Sequence, residues 1–368
     1  MRSKKDWVIV GLTVLVMILL GSNGFLMYRS GIGAEGLRRL GKGIVELEGI
    51  QWLLSQLDIG WVTPREAAIQ WLKQGATLEQ EGRYREAVRA YEQARDLAPD
   101  EFMAYLGLAS AYEALGEKDQ ALALLEEAAQ LAPENATVQR HLGRLQCLRG
   151  EYEVCVRTLE KAVEMEPDDK WGRYWLANAY QQSAEDGFDK ALAQYQEVLR
   201  MEPDFGEAHL GLGYLYRSQP GKEVLAIEEF EKALEAAMDA NDEDLAAKAR
   251  AGLAILYYAQ DNYSQCIDEW KRVLAANPDD AAAHRRLGLC YAMRGEEGDL
   301  EQAIPELEQA LALDSGYIAA YYFFLGQYYA TEKNDYPGAI WAWEQFLRFS
   351  DDEELNAEVR KWIERLKE

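Results

Sequence analysis

The chain has 368 residues, a formal net charge of −25 at pH 7 and 49% hydrophobic residues. So large an acidic excess argues against binding to nucleic acid, because phosphates are neutralised by Lys and Arg. The apolar fraction is sufficient for a core, and the acidic residues are expected to cover solvated helix faces.

An apolar run near the N-terminus follows a short basic tail at residues 1–6. Residues 7–28 would extend about 33 Å as a helix, enough to cross a hydrocarbon core of roughly 30 Å. The sequence therefore predicts a transmembrane signal anchor over 7–28. The alternative is a secretory signal peptide cleaved after Gly24, where Ser22 and Gly24 are the small residues. The large apolar residues that follow Gly24 favour the anchor.

The orientation of this anchor is less strongly determined. The basic residues before the span are matched by basic residues after it, so the positive-inside rule gives nearly a tie. A short basic tail before a first hydrophobic segment is typical of a signal anchor with a cytoplasmic N-terminus. We therefore expect a single-pass membrane protein with residues beyond 28 on the extracytoplasmic side; the opposite orientation would leave them in the cytosol.

Residues 29–64 form a different segment. Leu and Ile recur there at steps of three and four, which indicates one face of a helix, although several glycines weaken it. This predicts a juxtamembrane amphipathic segment that lies on lipid headgroups or forms a homo-oligomer through 31–60. A cap on the following domain, or a spacer, is the alternative. Gly60 and Pro64 mark its boundary.

A repeated stretch dominates the rest of the chain. Five prolines followed by Asp or Glu hold the recurring position, at 99, 133, 167, 203 and 278, and the first three of them are 34 residues apart. Small residues stand twelve positions before these prolines, at Ala87, Ala121, Cys155, Ala191 and Cys266. Large apolar residues stand eight positions before them, at Tyr91, Leu125, Leu159, Tyr195 and Trp270. Each repeat therefore predicts an antiparallel helix pair that buries its apolar groups only by stacking on its neighbours.

This pattern resembles the tetratricopeptide repeat family. The resemblance implies an all-α fold: a right-handed superhelical solenoid of about eight helix–turn–helix repeats over residues 65–350. We number repeats from their expected starts, at Ala68, Phe102, Ala136, Lys170, Gly206, Ala247, Ala281 and Ala319. Apolar residues at helical spacing after Ser350 predict a C-terminal capping helix over 351–368.

The four cysteines show no metal-binding spacing, so no metal or other cofactor is expected. Cys155 and Cys266 stand where other repeats have alanine, which is consistent with small buried residues. Two disulfides would require an oxidising compartment, and the sequence leaves their pairing open.

In the tetratricopeptide family the first helices of the repeats line a concave groove that grips a peptide or partner helix. The repeat phase then implies a binding site for a protein or peptide partner, formed by Arg140, Arg144, Trp171, Tyr174, Asn178, Tyr214 and Arg217. Arginines beside aromatics and an amide suit a carboxylate or a peptide backbone. The alternative is that the arginines pair with local acids and the aromatics pack.

This set partly resembles the carboxylate clamp of co-chaperone repeat domains. Asn178 matches a clamp position, but the other positions lack the clamp lysines, which argues against binding of a chaperone tail. Apolar residues on the later first helices could instead hold an apolar helix: Ile255, Tyr258, Leu289, Met293 and Phe323.

No catalytic motif accompanies the three histidines, which lie in different repeats, so an enzyme is not expected. The predicted function is a membrane-tethered scaffold or adaptor. An accessory subunit of a membrane enzyme or transport complex, and an exported soluble binding protein, are the alternatives.

Overall fold

The computed structural model describes residues 63–183 and 187–368. These residues contain seventeen α-helices, one short 3-10 helix and no strand, so the all-α prediction is confirmed for them. None of these helices has the length and apolar character needed to cross a bilayer. The predicted anchor and the segment up to residue 62 lie outside the described residues.

The helices follow one another with short connections. They are α1 (Pro64–Gln80), α2 (Tyr84–Leu97), α3 (Phe102–Ala114), α4 (Lys118–Leu131), α5 (Ala136–Leu148), α6 (Tyr152–Met165), α7 (Lys170–Gln182), α8 (Gly187–Met201), α9 (Gly206–Arg217), α10 (Glu223–Ala240), α11 (Glu243–Ala259), α12 (Tyr263–Ala276), α13 (Ala281–Arg294), α14 (Asp299–Leu313), the 3-10 turn η1 (Ser315–Tyr317), α15 (Ile318–Thr331), α16 (Tyr336–Phe349) and α17 (Glu353–Lys367).

The chain divides into two compact bodies at Leu145. We call them the N-terminal lobe, described from residue 63 to 145, and the C-terminal lobe, described from 146 onwards except 184–186. In the N-terminal lobe α1 packs on α2 and α3 on α4. In the C-terminal lobe the pairs α7–α8, α9–α10, α11–α12, α13–α14 and α15–α16 pack in the same way. Odd-numbered helices up to α15 are thus the first helices of the repeats.

The recurring small residues let aromatic rings enter between first helices. A methyl group on Gly75 would lie 2.5 Å from a ring atom of Tyr91, and so would one on Gly107. Phe230 stands in the same relation to Gly213 and Gly252, at 2.6 Å. One large side chain of a second helix therefore wedges between two successive first helices, and a Cβ at these glycines would collide with it. This explains why small and large positions alternate.

Five of the repeats are also tied to the one before them by a hydrogen bond that the sequence pattern does not show. The fourth residue of a first helix donates to the carbonyl oxygen six residues earlier, on the proline that ends the preceding repeat. The donors are Tyr105 Oη to Pro99 (2.9 Å), Gln139 Nε2 to Pro133 (3.2 Å), Arg173 Nε to Pro167 (2.6 Å), and the Nε2 atoms of His209 and His284 to Pro203 and Pro278 (2.9 Å each). The bond satisfies a carbonyl exposed by the turn. Because four different residue types donate this bond, no consensus residue marks it.

The final helix α17 repeats this arrangement. Asn356 Nδ2 donates to the carbonyl oxygen of Ser350 at 3.1 Å, again six residues earlier. Val359 and Ile363 are buried against α16, where Trp362 packs on Trp343 with ring centroids 5.4 Å apart. Helix α17 therefore packs on α16 in the manner of a further first helix.

Both disulfides lie in the C-terminal lobe. Cys147 on α5 is bonded to Cys155 on α6, and Cys266 on α12 to Cys290 on α13, with Cα–Cα distances of 5.3 and 6.2 Å. All four cysteines are buried. The pairing that the sequence left open joins a first and a second helix in each case.

Candidate functional site: the first-helix face of the C-terminal lobe

The seven residues predicted for the binding site divide between the two lobes. Arg140 and Arg144 lie on α5 within the N-terminal lobe. The other five lie on α7 and α9 within the C-terminal lobe. The two groups are therefore described separately.

In the N-terminal lobe Arg144 is part of the scaffold. Its Nη1 donates to Oε1 of Glu113 on α3 at 2.6 Å, and its Nη2 donates to the second carboxylate oxygen. The two side chains keep only 22% and 19% of their exposure. This bidentate pair links the first helices of two repeats. Arg144 therefore pairs with an acid of the protein itself, which was the alternative to a role in partner binding. Arg140 lies one turn earlier on the same helix and is half-buried.

In the C-terminal lobe the predicted aromatic residues form a connected cluster. Trp171 is 37% exposed and meets Tyr174 and Phe205 edge to face, with centroids 5.8 and 4.9 Å apart. Burial raises the pKa of Tyr174, and a hydrogen bond with Asn178 partly offsets this. Asn178 Oδ1 also accepts a hydrogen bond from Tyr195 Oη at 2.8 Å. Asn178 therefore positions the aromatic cluster.

Tyr214 and Arg217 continue this surface on α9. The Tyr214 ring packs edge to face on Phe230 at 5.1 Å, and the Arg217 guanidinium lies 5.0 Å from the centre of the Tyr214 ring. Burial raises the pKa of Tyr214, whereas Arg217 and Lys248 act to lower it. Lys248 belongs to α11, and its charge also acts to lower the pKa of Tyr174 on α7. Helices α7, α9 and α11 therefore contribute to one surface. We call it the first-helix face.

Two arginines on α13 extend the first-helix face, and the sequence prediction missed them. Arg285 lies 5.1 Å from the ring centre of Tyr317, and Arg286 lies 5.7 Å from that of Trp270. Burial lowers the pKa of Arg286, and the charges of Arg285 and Arg217 lower it further. Counting in register would have found them, because Arg285 holds the position in its repeat that Arg140 holds in the third.

The residues expected to receive an apolar helix have different environments. Met293 is 47% exposed on α13, whereas Ile255 and Leu289 are half-buried. Phe323 packs against Phe346 at 5.3 Å and belongs to the core of the last repeat. Only part of this set is therefore presented to a partner.

The arrangement provides aromatic faces and guanidinium donors, which suit recognition of a peptide. No group of three or more His, Cys, Asp and Glu side chains is placed to hold a metal ion within residues 63–183 and 187–368.

Comparison with protein families identifies the class of this molecule. A tetratricopeptide repeat model matches residues 72–136, 181–242, 251–297 and 296–351, and a second model of the same repeat matches 119–169. These matches cover more than half of the chain, so the chain belongs to the tetratricopeptide repeat family. A comparison with curated proteins found no match.

Solved structures align with this chain at low sequence identity. A chain of the APC/C hetero-tetramer Cut9–Hcn1 has the same fold, with a TM-score of 0.54 and 19% identity over 90% of this chain and 59% of that chain. A tetratricopeptide repeat protein from Parabacteroides merdae aligns at a TM-score of 0.45 and 19% identity, over 73% of this chain and 99% of that chain. YrrB, described as having an unusual peptide-binding site, aligns with a TM-score of 0.39 and 23% identity, over 50% of this chain and 91% of that chain.

Proposed function

We propose that the protein is a membrane-tethered scaffold that binds a protein or peptide partner on the first-helix face of the C-terminal lobe and has no catalytic activity of its own. The observation that carries this proposal is the cluster of Trp171, Tyr174, Tyr214 and Arg217. Tyr, Trp and Arg are the residue types that contribute most to binding at protein interfaces. Arg140 stays a candidate contact within the N-terminal lobe, whereas Arg144 is committed to Glu113.

The geometry supports an energetic role for these residues. Trp171 and Tyr214 are held by ring contacts to neighbouring aromatics, so little side-chain entropy would be lost on binding. Trp171 keeps more than a third of its surface in solvent although it stands in an aromatic cluster. A partner that covered this ring would gain apolar burial without a large rearrangement.

The proposal includes a tether through residues 7–28 and an extracytoplasmic position for the repeats. Its support is the length of the apolar run and the two disulfides, since disulfides persist mainly in oxidising compartments. Mass spectrometry of the protein from host membranes should recover a peptide from residues 1–24. Its consistent absence, with a new N-terminus after Gly24, would instead indicate an exported soluble protein.

The binding proposal is tested by cross-linking the full chain in membranes of its host and identifying what co-purifies. We expect a stoichiometric partner that is lost in Trp171→Ala with Tyr214→Ala. Trp341→Ala is the matched control, because Trp341 is 50% exposed but lies on the second helix α16.

Capture of a partner by the wild type does not by itself support the proposal. Support requires that the capture depends on residues of the first-helix face. Equal capture by both variants, with unchanged circular dichroism and melting, would contradict it. A partner that is itself an enzyme or a transporter would indicate an accessory subunit.

A further inference from the structure

We infer that Arg285 and Arg286, together with Arg217, bind side-chain carboxylates of a short acidic segment in the partner. This inference rests on the proposed function, because it assigns a chemistry to the ligand of the same face. It concerns the α13 end of the first-helix face, beside the aromatic cluster of α7 and α9.

The first argument is that Arg217, Arg285 and Arg286 carry positive charges that no carboxylate among the described residues pairs with. In a chain of net charge −25, arginines readily find acids: Arg83 pairs with Glu86, Arg200 with Glu197 and Arg294 with Asp299, each through two hydrogen bonds. Within the part of the chain that the structure describes, no ion pair is formed by Arg217, Arg285 or Arg286.

The second argument is the way in which these arginines are held. All three guanidinium groups lie over aromatic rings, those of Tyr214, Tyr317 and Trp270, at 5.0 to 5.7 Å. Stacking on a ring uses the face of a guanidinium and leaves the N–H groups at its edge for a carboxylate. Arginines fixed in this way lose less entropy when they form a bidentate pair.

The third argument is an unsatisfied donor. Nε of Arg285 is buried and has no hydrogen-bond partner among the described residues. A buried donor without a hydrogen-bond partner is costly, so the fold itself leaves the guanidinium of Arg285 incompletely satisfied.

The fourth argument is mutual repulsion. Arg286 is close enough to Arg285 on its own helix and to Arg217 on α9 for both charges to disfavour its protonated form. Tyr317 and, after it, Asp280 act in the opposite direction and raise the pKa of Arg286; Asp280 is the only carboxylate of the two. Its carboxylate already caps α13 by accepting a hydrogen bond from the backbone N–H of Ala283 at 2.9 Å. A bound anion would therefore relieve a repulsion that the protein itself leaves in place.

The chemistry of the ligand follows from the surroundings. The strongly negative chain would repel a long polyanion, so a segment with one or two Asp or Glu side chains fits better. Met293 is 47% exposed and lies seven residues after Arg286 on the same helix face. We therefore assign a short segment in which an acidic residue is flanked by an apolar or aromatic residue.

The test uses a phage-displayed library of random twelve-residue peptides, panned on the full chain in detergent micelles. We expect Asp and Glu to be enriched next to apolar residues among the selected peptides. The variant Arg285→Glu with Arg286→Glu should lose this enrichment and weaken the binding of a selected synthetic peptide about tenfold or more. The matched control is Arg360→Glu with Lys361→Glu, because it makes the same change of charge at exposed residues of α17 and should stay within about twofold.

Selection without acidic enrichment, or enrichment that survives reversal at 285 and 286, would overturn the inference. Amidation of the peptide C-terminus should leave affinity unchanged; a loss on amidation would mean that a terminal carboxylate is read instead. Circular dichroism and thermal melting of each variant show whether it is folded. If the partner captured from membranes depends on Trp171 and Tyr214 but not on Arg285 and Arg286, this inference fails while the proposed function stands.

Discussion

The two lobes are built from the same repeat but use their first-helix arginines in different ways. In the N-terminal lobe Arg144 on α5 is neutralised by Glu113 on α3, the preceding first helix. In the C-terminal lobe Leu289 holds the repeat position of Arg144, and the two arginines of α13 lie three and four residues before it. Arg285 and Arg286 form no ion pair within the described residues, and their guanidinium groups lie over the rings of Tyr317 and Trp270. The position of an arginine within its repeat and the side chains that face it therefore decide whether it is paired inside the fold.

The lobes also differ in covalent cross-links, since all four cysteines lie in the C-terminal lobe. The largest expected effect is therefore loss of the Cys266–Cys290 bond, which spans 24 residues of sequence. Cys266→Ala with Cys290→Ala should destabilise the C-terminal lobe by about 3 kcal/mol, because the unfolded chain is no longer constrained. Hydrogen exchange measured by mass spectrometry should speed up in α12 and α13 and stay unchanged in α2 to α4.

Alanine suits the Cys266 site, since Ala87, Ala121 and Ala191 hold the same position in other repeats. The matched control is dithiothreitol treatment of the unmodified protein, which should reproduce the effect in α12 and α13. Equal acceleration of hydrogen exchange in both lobes would show that this disulfide does not stabilise the C-terminal lobe selectively.

The next largest effect concerns Arg144 itself. Arg144→Ala leaves the carboxylate of Glu113 about four-fifths buried without its counter-ion. We expect a loss of about 2 kcal/mol in the free energy of unfolding of the N-terminal lobe, measured by urea denaturation. The double variant with Glu113→Ala should recover part of this loss, because it removes the unpaired charge. A change below about 0.5 kcal/mol would mean that the pair is no more than a surface contact.

Arg285→Ala is the matched change in the C-terminal lobe, and we expect a much smaller effect on stability. The substitution removes a stacking contact with Tyr317 but also a repulsion with Arg286. The free energy of unfolding should change by about 0.5 kcal/mol or less in the same urea experiment. A loss as large as that of Arg144→Ala would show that Arg285 is structural too, and it would remove the contrast between the lobes.

The smallest effect is a pH dependence that arises from Glu229, a carboxyl group of the C-terminal lobe. Burial acts to raise the pKa of Glu229, but hydrogen bonds from His209 and Lys232 outweigh it, so its pKa is lowered below the usual 4.5. The stabilisation that this gives is present above about pH 4.5 and is lost as the pH falls through the lower folded-state value. In the N-terminal lobe the equivalent first-helix residues are Tyr105 and Gln139, which do not titrate in this range.

The measurement is thermal melting of the wild type and of Glu229→Gln between pH 7 and pH 3. The variant should melt about 2 °C lower at pH 7, and the gap should narrow as the pH falls below 4.5 and Glu229 takes up a proton. A gap that is constant with pH would mean that packing, rather than charge, accounts for the contribution of Glu229.

Most of the fold was predictable because it is encoded locally. The recurring prolines, the glycines of the turns and the spacing of small and large residues indicate helix pairs without any knowledge of distant contacts. Gly82, Gly116 and Gly150 adopt the left-handed conformation, with φ of 72°, 81° and 81°, at the turns between paired helices. The environments of the arginines were less predictable, because neither the pairing of Arg144 with Glu113 nor the position of Arg285 and Arg286 over aromatic rings is encoded within one repeat.

What the sequence by itself determined is therefore the period, the helix pairs and the family, because each depends on residues within one repeat. The tertiary structure alone decided which cysteines are paired, which arginine is neutralised and which side chains donate hydrogen bonds to the carbonyl oxygens of the recurring prolines. These properties depend on which side chains another helix, of the same or of a neighbouring repeat, places within a few ångströms. Residues more than twenty positions apart in sequence, such as Glu113 and Arg144, carry no mark of that proximity until the helices pack.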